Sequence, residues 1–132
     1  MDDNLKQKLL DVLAAWPTLS VVIVYGSAAT GTMRPTSDID LAVLGPQPLA
    51  AEIRLAIMAD VTRATGRDTD VLDLQQARGT ILSEILTLGV RLRVTQPAAL
   101  ELLMKRLVYD EADYMPLYRR LLRERRERFL HG

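Results

Sequence analysis

The sequence predicts a small α/β domain, a mixed sheet of about four strands with helices packed on it and a helical C-terminal tail. Three observations carry this expectation. Short β-branched runs alternate along the chain with segments whose apolar residues recur at helical spacing, the pattern of strands joined by helices. Hydrophobic residues make up 48% and charged residues 26% of the chain, the balance of a protein with a buried core rather than of a disordered or collagen-like one. A length of 132 residues leaves room for about one domain, with residues 1–95 as its core and 97–130 as the tail.

The elements follow in order. Leu5, Leu9, Val12, Leu13 and Trp16 mark one stripe of an amphipathic helix that Pro17 ends. Ser20 to Tyr25 is a dense β-branched run closed by Gly26, the signature of a strand buried on both faces. Ser37 to Leu44 alternates Asp38 and Asp40 with Ile39 and Leu41 and stops at Gly45-Pro46, a second strand. Pro48 can open a helix with the stripe Ile53, Ile57, Val61 and Ala64, and Gly66 stands where a left-handed cap is expected. Thr69 to Leu74 reads as a third strand. A helix with Ile81, Ile85 and Leu88 then runs to Gly89, and a fourth strand follows over Val90 to Val94. Pro97 opens the tail, whose stripes are Leu100, Leu103, Met104, Leu107 and Val108, then Tyr114, Leu117, Tyr118, Leu121 and Leu122, with Pro116 between them.

Composition excludes several functions. The 17 Lys and Arg residues balance the 17 Asp and Glu residues, so no global field draws the chain to nucleic acid or to a membrane. The absence of cysteine removes disulfides, thiolate metal sites and thiol catalysis. An acidic start and apolar runs of no more than five residues provide neither a signal core nor a membrane span, which fits a cytoplasmic protein.

Chemistry concentrates in one constellation. Gly26 and Ser27 close the first strand, and Asp38 and Asp40 lie two residues apart on the second, which puts both carboxylates on one face. Two carboxylates forced together repel, so they are stable when ionised mainly with a divalent cation between them, and hard oxygen ligands point to magnesium. Gly26 permits a sharp turn and close approach of a ligand, while Ser27 and the amides after it can donate to phosphate oxygens. The two halves together suit a metal-bound nucleoside triphosphate. A P-loop is excluded: the two glycines of Gly26 to Gly31 have the right spacing, but Thr32-Met33 stands where lysine and a hydroxyl residue are required.

The segment Val24-Tyr-Gly-Ser-Ala-Ala-Thr-Gly-Thr-Met-Arg-Pro-Thr-Ser-Asp-Ile-Asp-Leu-Ala-Val43 resembles the signature of the DNA polymerase β-like nucleotidyltransferase superfamily, and the likeness extends to Gly89. Size and element order are similar to those of its minimal members, the MntA-like antitoxins paired with HepT toxins. The resemblance implies a small nucleotidyltransferase fold and the transfer of a nucleoside monophosphate from a triphosphate, ATP by preference, to a hydroxyl. It further implies two magnesium ions and a third acid. Asp68, Asp70 and Asp73 are the candidates, and the family pattern of an acid before an apolar pair and Asp-Leu selects Asp70. Strand parity agrees, since Asp68 and Asp70 share a face and Asp73 points away, where it can cap the following helix. In this reading Asp38, Asp40 and Asp70 hold metal, Asp70 also activates the hydroxyl, and Gly26, Ser27 and Arg34 meet the triphosphate.

The expected acceptor is a tyrosine of a HepT-type, HEPN-class toxin in a heteromeric complex, with no direct contact to nucleic acid or membrane. Transfer to a small molecule such as an aminoglycoside, and a non-catalytic antitoxin that blocks its toxin by binding, are the alternatives. The run Arg119, Arg120, Arg123, Arg125, Arg126 and Arg128 reads by default as a solvated helix face, with a docking surface as the alternative. Tyr114 and Tyr118 read as core, and His131 as a tail residue without a catalytic part.

Overall fold

The computed structural model describes residues 1–110 and Arg123. Its elements run α1 (Asp3–Leu13), β1 (Val21–Tyr25), α2 (Ser27–Thr30), β2 (Ile39–Leu44), α3 (Ala51–Thr65), β3 (Thr69–Asp73), α4 (Gly79–Leu88) and β4 (Val90–Val94). Residues 97–110 are helical as well, and are termed α5. The four strands form one sheet in the order β3-β2-β1-β4. It is mixed: β1 runs antiparallel to both β2 and β4, while β2 and β3 are parallel and joined by the crossover helix α3.

Both faces of the sheet are covered, so β1 is buried at all five positions, as its unbroken apolar run predicts. Val22, Val24, Ile39, Leu41, Val43 and Val71 pack under Leu9 and Leu13 of α1 and Ile57 and Val61 of α3. On the other face Val21, Ile23, Ala42 and Leu44 meet Leu82 and Ile85 of α4 and Leu103 of α5. Asp2 caps α1 by accepting from the Asn4 amide, and Gly66 ends α3 in the left-handed conformation with its N–H on the Thr62 carbonyl. Gly89 is required for space: a Cβ there would collide with Ile23 Cγ2 and the Ile85 carbonyl where α4 turns into β4 against β1.

Several sequence expectations shift. The Ser27–Thr30 stretch, to which the sequence alone assigns no element, is a single helical turn. Helix α3 starts at Ala51, three residues after Pro48, and buries only Ile57 and Val61, leaving Ile53 41% exposed. The apolar side of α4 is centred on Leu82 and Ile85, with Leu88 60% exposed, because Ile81, Leu82, Ile85, Leu86 and Leu88 nearly encircle the helix and sequence alone does not orient it. In α5, Leu100 and Leu103 are buried and Met104 and Val108 face outward. Tyr114, Pro116, Leu117, Tyr118, Leu121, Leu122, His131 and the basic run other than Arg123 lie outside the described residues; Arg123 is helical and exposed. Among the described residues no helix is long and apolar enough to cross a membrane.

Three half-buried arginines bind carbonyls and hold this arrangement together. Arg93 on β4 donates to the carbonyls of Leu13, Trp16 and Leu19, satisfying the end of α1. Arg106 on α5 donates to those of Leu74 and Ala77, fixing α5 to the β3–α4 connection. Arg67 performs the same task beside the acidic cluster described next.

Candidate active site

Register brings the predicted acids together. Asp40 is paired with Tyr25 on one side and with Asp70 on the other, so the two carboxylates stand on neighbouring strands and on the same face. Asp38 precedes β2 by one residue and is exposed, as is Asp70, while Asp40 is half-buried. Burial pushes the Asp40 carboxyl above its ordinary value, and the nearby charges of Asp70, Asp38 and Glu84 push it further. Tyr25, nearly enclosed, has its phenol pushed up to about 12 by burial, then by Asp40, Asp70 and Glu84. Glu84 of α4 is thus a fourth acid at this site that strand periodicity gave no means of finding.

The turn beside Asp40 admits only glycine. Gly26 has φ 70° and ψ −151°, backbone space closed to other residues, and a Cβ on it would collide with Asp40 Oδ2. Ser27, half-buried, begins α2 directly after that turn, and the amides of Ala29 and Thr30 donate back to the Gly26 carbonyl. The connection from α2 to β2 is tied down at several points. Ser37 Oγ accepts from the Arg34 amide at 2.8 Å, and Arg67 donates to the carbonyls of Arg34 at 2.9 Å, Ser37 at 3.1 Å and Pro35 at 3.4 Å. The Arg34 side chain itself is exposed and makes no ion pair among the described residues. The structure therefore gathers Gly26, Ser27, Asp38, Asp40 and Asp70 and leaves Arg34 on the rim.

Strand parity separates the remaining acids. Asp73 faces the α3 side, where its carboxylate accepts from the amides of Leu49 at 2.8 Å and Gln75 at 2.9 Å. It closes a turn and anchors the β2–α3 connection; the helix-capping role expected of it is absent, since α4 starts at Gly79 behind the N-cap residue Arg78 and has no side-chain cap. Asp68 is exposed and contributes its carbonyl to the Ile39 amide.

The donor set fits a divalent cation. Asp38, Asp40 and Asp70 present hard oxygens, and no lysine or arginine among the described residues forms an ion pair with them. Among the described residues no three acidic or histidine side chains already stand in the ligand shell of one ion, so the chain contributes the oxygens and their charge rather than a finished centre. Beside Asp70 a groove of about 700 Å³ runs along β3 between the start of α3 and the start of α4.

A family model described as polymerase beta, nucleotidyltransferase, matches residues 7–97. The protein adenylyltransferase MntA of Shewanella oneidensis is 32% identical over 80 residues, which cover 61% of this chain and 58% of that protein. A crystal structure of a toxin–antitoxin with AMP-PNP superposes with a TM-score of 0.68 at 26% identity, covering 94% of both chains. At 24% identity, a structure of tri-AMPylated Shewanella oneidensis HEPN toxin in complex with MNT antitoxin gives a TM-score of 0.64 and covers 98% of this chain and 96% of that one, a likeness of fold.

Proposed function

The chain belongs to the polymerase beta nucleotidyltransferase family, and on that premise we propose that it transfers AMP from ATP to a hydroxyl, most simply a tyrosine, of a partner toxin of the HepT or HEPN type and thereby neutralises it. The observation that carries this is the register of Asp40 against Asp70 beside Gly26-Ser27, which unites paired acids and a phosphate-accepting turn on one face. The similarity over nearly the whole chain to an antitoxin crystallised with AMP-PNP supports ATP as the substrate and a protein as the acceptor. We read residues 1–132 as a single nucleotidyltransferase domain with core 1–95, acting in the cytoplasm.

Each residue has a distinct task. Asp38, Asp40 and Asp70 are the ligands that would hold two magnesium ions, which when bound offset the charge of the triphosphate and of the departing pyrophosphate. Gly26 lets the backbone approach the phosphates, and Ser27 with the amides opening α2 donates to the leaving phosphate oxygens. Arg34, on the rim, meets the same charge from outside. Asp70 faces the acceptor and draws the proton from its hydroxyl. The acceptor oxygen then bonds to the α-phosphorus, the bond from that phosphorus to the bridging oxygen breaks, and pyrophosphate leaves with the electron pair. Tyr25, nearly enclosed and paired with Asp40 across the β1–β2 ladder, lines the floor of the site.

Co-purification with a HepT-type partner encoded beside this chain, followed by magnesium-ATP and intact-mass spectrometry, tests the proposal. One or more AMP additions on partner tyrosines are expected. A partner that binds and is silenced without any mass change would refute transfer in favour of simple blocking.

A further inference from the structure

Of the three acids assigned to metal, Asp40 and Asp70 stand inside strands, where the β2–β3 ladder fixes them opposite each other. Asp38 does not: β2 begins at Ile39, and Asp38 is exposed. Its main chain is nevertheless held on both sides by two consecutive residues that lead into β3. On one side the Arg67 guanidinium donates to the Ser37 carbonyl at 3.1 Å, and on the other the Ile39 amide donates to the Asp68 carbonyl at 2.9 Å. The same guanidinium nitrogen reaches the carbonyls of Arg34 at 2.9 Å and Pro35 at 3.4 Å, drawing together a turn that Ser37 closes through its Oγ and its own amide. Arg67 is half-buried and fixed at its base, its amide donating to Thr65 Oγ1 at 3.3 Å and its carbonyl accepting from the buried Thr69 hydroxyl at 3.2 Å. It forms no ion pair among the described residues, which leaves the Asp38 carboxylate free for a metal.

We propose that Arg67 is a positioning residue of the transfer reaction: by clamping the Ser37 carbonyl beside the Asp68–Ile39 bond, it holds the Asp38 carboxylate ready to bind metal together with Asp40 and Asp70. The inference rests on the proposed transfer reaction and adds to it a residue that touches neither metal nor nucleotide. Carbonyls gathered at one point need a donor if they are not to turn out to water, and a cationic donor binds them more strongly than a neutral one. Without the guanidinium the turn over residues 34–37 is free to open, and Asp38 moves with it. Groups that orient a ligand in this way commonly matter almost as much as the ligand itself. The clamp also couples two acids, since Arg67, Asp68 and Asp70 belong to one short segment that supplies one carboxylate and places another. Arg93 provides the contrast: it too donates to three carbonyls, but it pairs with Val22, towards the other end of β1 from Tyr25 and Asp40.

The test compares Arg67→Met, Arg67→Lys and Arg93→Met in the full chain by two readouts. The first is uptake of Mn²⁺ in the presence of α,β-methylene ATP, which cannot release pyrophosphate, followed by the paramagnetic resonance of free Mn²⁺ with no acceptor present. The second is the kinetics of AMP transfer to the toxin partner. Arg67→Met should weaken Mn²⁺ binding about tenfold or more and lower kcat by about 10–10²-fold, with KM for ATP within about threefold of the parent. Arg67→Lys, whose ammonium also carries several donors, should recover both quantities to within about threefold of the parent. Arg93→Met should lower the melting temperature and leave Mn²⁺ binding and kcat unchanged. Parent-like Mn²⁺ binding by a folded Arg67→Met, a lysine variant no better than the methionine one, or an equal loss of Mn²⁺ in Arg93→Met would overturn the inference. Should Arg67→Met not fold, Ser37→Ala opens the same turn from its other side: Mn²⁺ binding weaker by about threefold is expected, and unchanged binding would overturn the clamp. A parent that takes up no Mn²⁺ strikes the metal assignment of the proposed function and the inference with it, whereas a parent that binds Mn²⁺ as tightly as Arg67→Met strikes the inference alone.

Discussion

The two faces of the sheet are made from alternate residues of the same strands, and they differ at one end. Under α1 and α3, Ile39, Leu41 and Val43 of β2 are all fully buried in an unbroken apolar layer. Under α4 and α5 the corresponding row reads Asp40, Ala42, Leu44, so the layer begins with an acid paired to a second acid, Asp70, and to Tyr25. One face serves stability alone. The other gives up part of its stability for a cluster of like charges, which is the usual price of a site. A single-residue step along β2 therefore moves a substitution from chemistry to folding.

The largest contrast should come from that step. Asp40→Ala should lower transfer at least about 10³-fold through loss of metal ligation and leave the fold intact. Leu41→Ala, its neighbour, should cost about 2–5 kcal/mol of stability while the folded fraction still transfers. Chemical denaturation together with label transfer from α-labelled ATP reads both quantities on each variant.

Asp70→Asn should be next, sparing nucleotide binding and lowering kcat by about 10²–10⁴-fold, since the amide keeps the volume but cannot take the acceptor proton. Single-turnover rates at saturating ATP measure it. Asp73→Asn tests the opposite parity. It should weaken the bonds to the Leu49 and Gln75 amides, cost about 1–2 kcal/mol in a urea melt and leave the transfer rate unchanged. If the effects on Asp70 and Asp73 were exchanged, the register of β3 would have to be shifted by one residue.

Much of this contrast is legible in the order of residues alone. Period two places Asp38 with Asp40 and separates Asp70 from Asp73, because strand geometry leaves a side chain only two directions. The dense run Val21 to Tyr25 likewise leaves no reading except a strand covered on both sides. Features without a local period are not legible in this way. Ser27–Thr30 is one turn of small residues, too short to show helical spacing. Arg67, Arg93 and Arg106 act by donating to carbonyls some 30 to 80 residues away in the chain, and such bonds leave no trace in the sequence around them. Glu84 joins the acids only because α4 crosses the face on which they lie, a matter of tertiary packing. The sheet order has no local signature either, although it decides that β3 lies beside β2 and brings Asp70 to Asp40.

The smallest expected effect concerns stability and pH. The fold holds the Asp40 carboxyl above its ordinary 3.8, through burial first and then through Asp70, Asp38 and Glu84. Its contribution to stability is therefore fully present below the unfolded-state value and is lost as pH rises through the folded one. Without metal, Asp40→Asn should melt at a slightly higher temperature than the parent at neutral pH, and the gap should close as pH falls into the carboxylate range. Magnesium should raise the melting temperature of the parent and not that of the variant. Calorimetric scans between acid and neutral pH, with and without magnesium, check both statements.

On the proposed mechanism the acid-bearing face moves a nucleotide and not a phosphate. Parallel reactions with α-labelled and γ-labelled ATP, on the toxin partner, with the parent and with Asp40→Ala, decide between the two. Label should reach the partner from the α position only, with pyrophosphate released in equal amount, and neither should be seen with the variant. Label arriving from the γ position, or undiminished α-label transfer by Asp40→Ala, would contradict the mechanism.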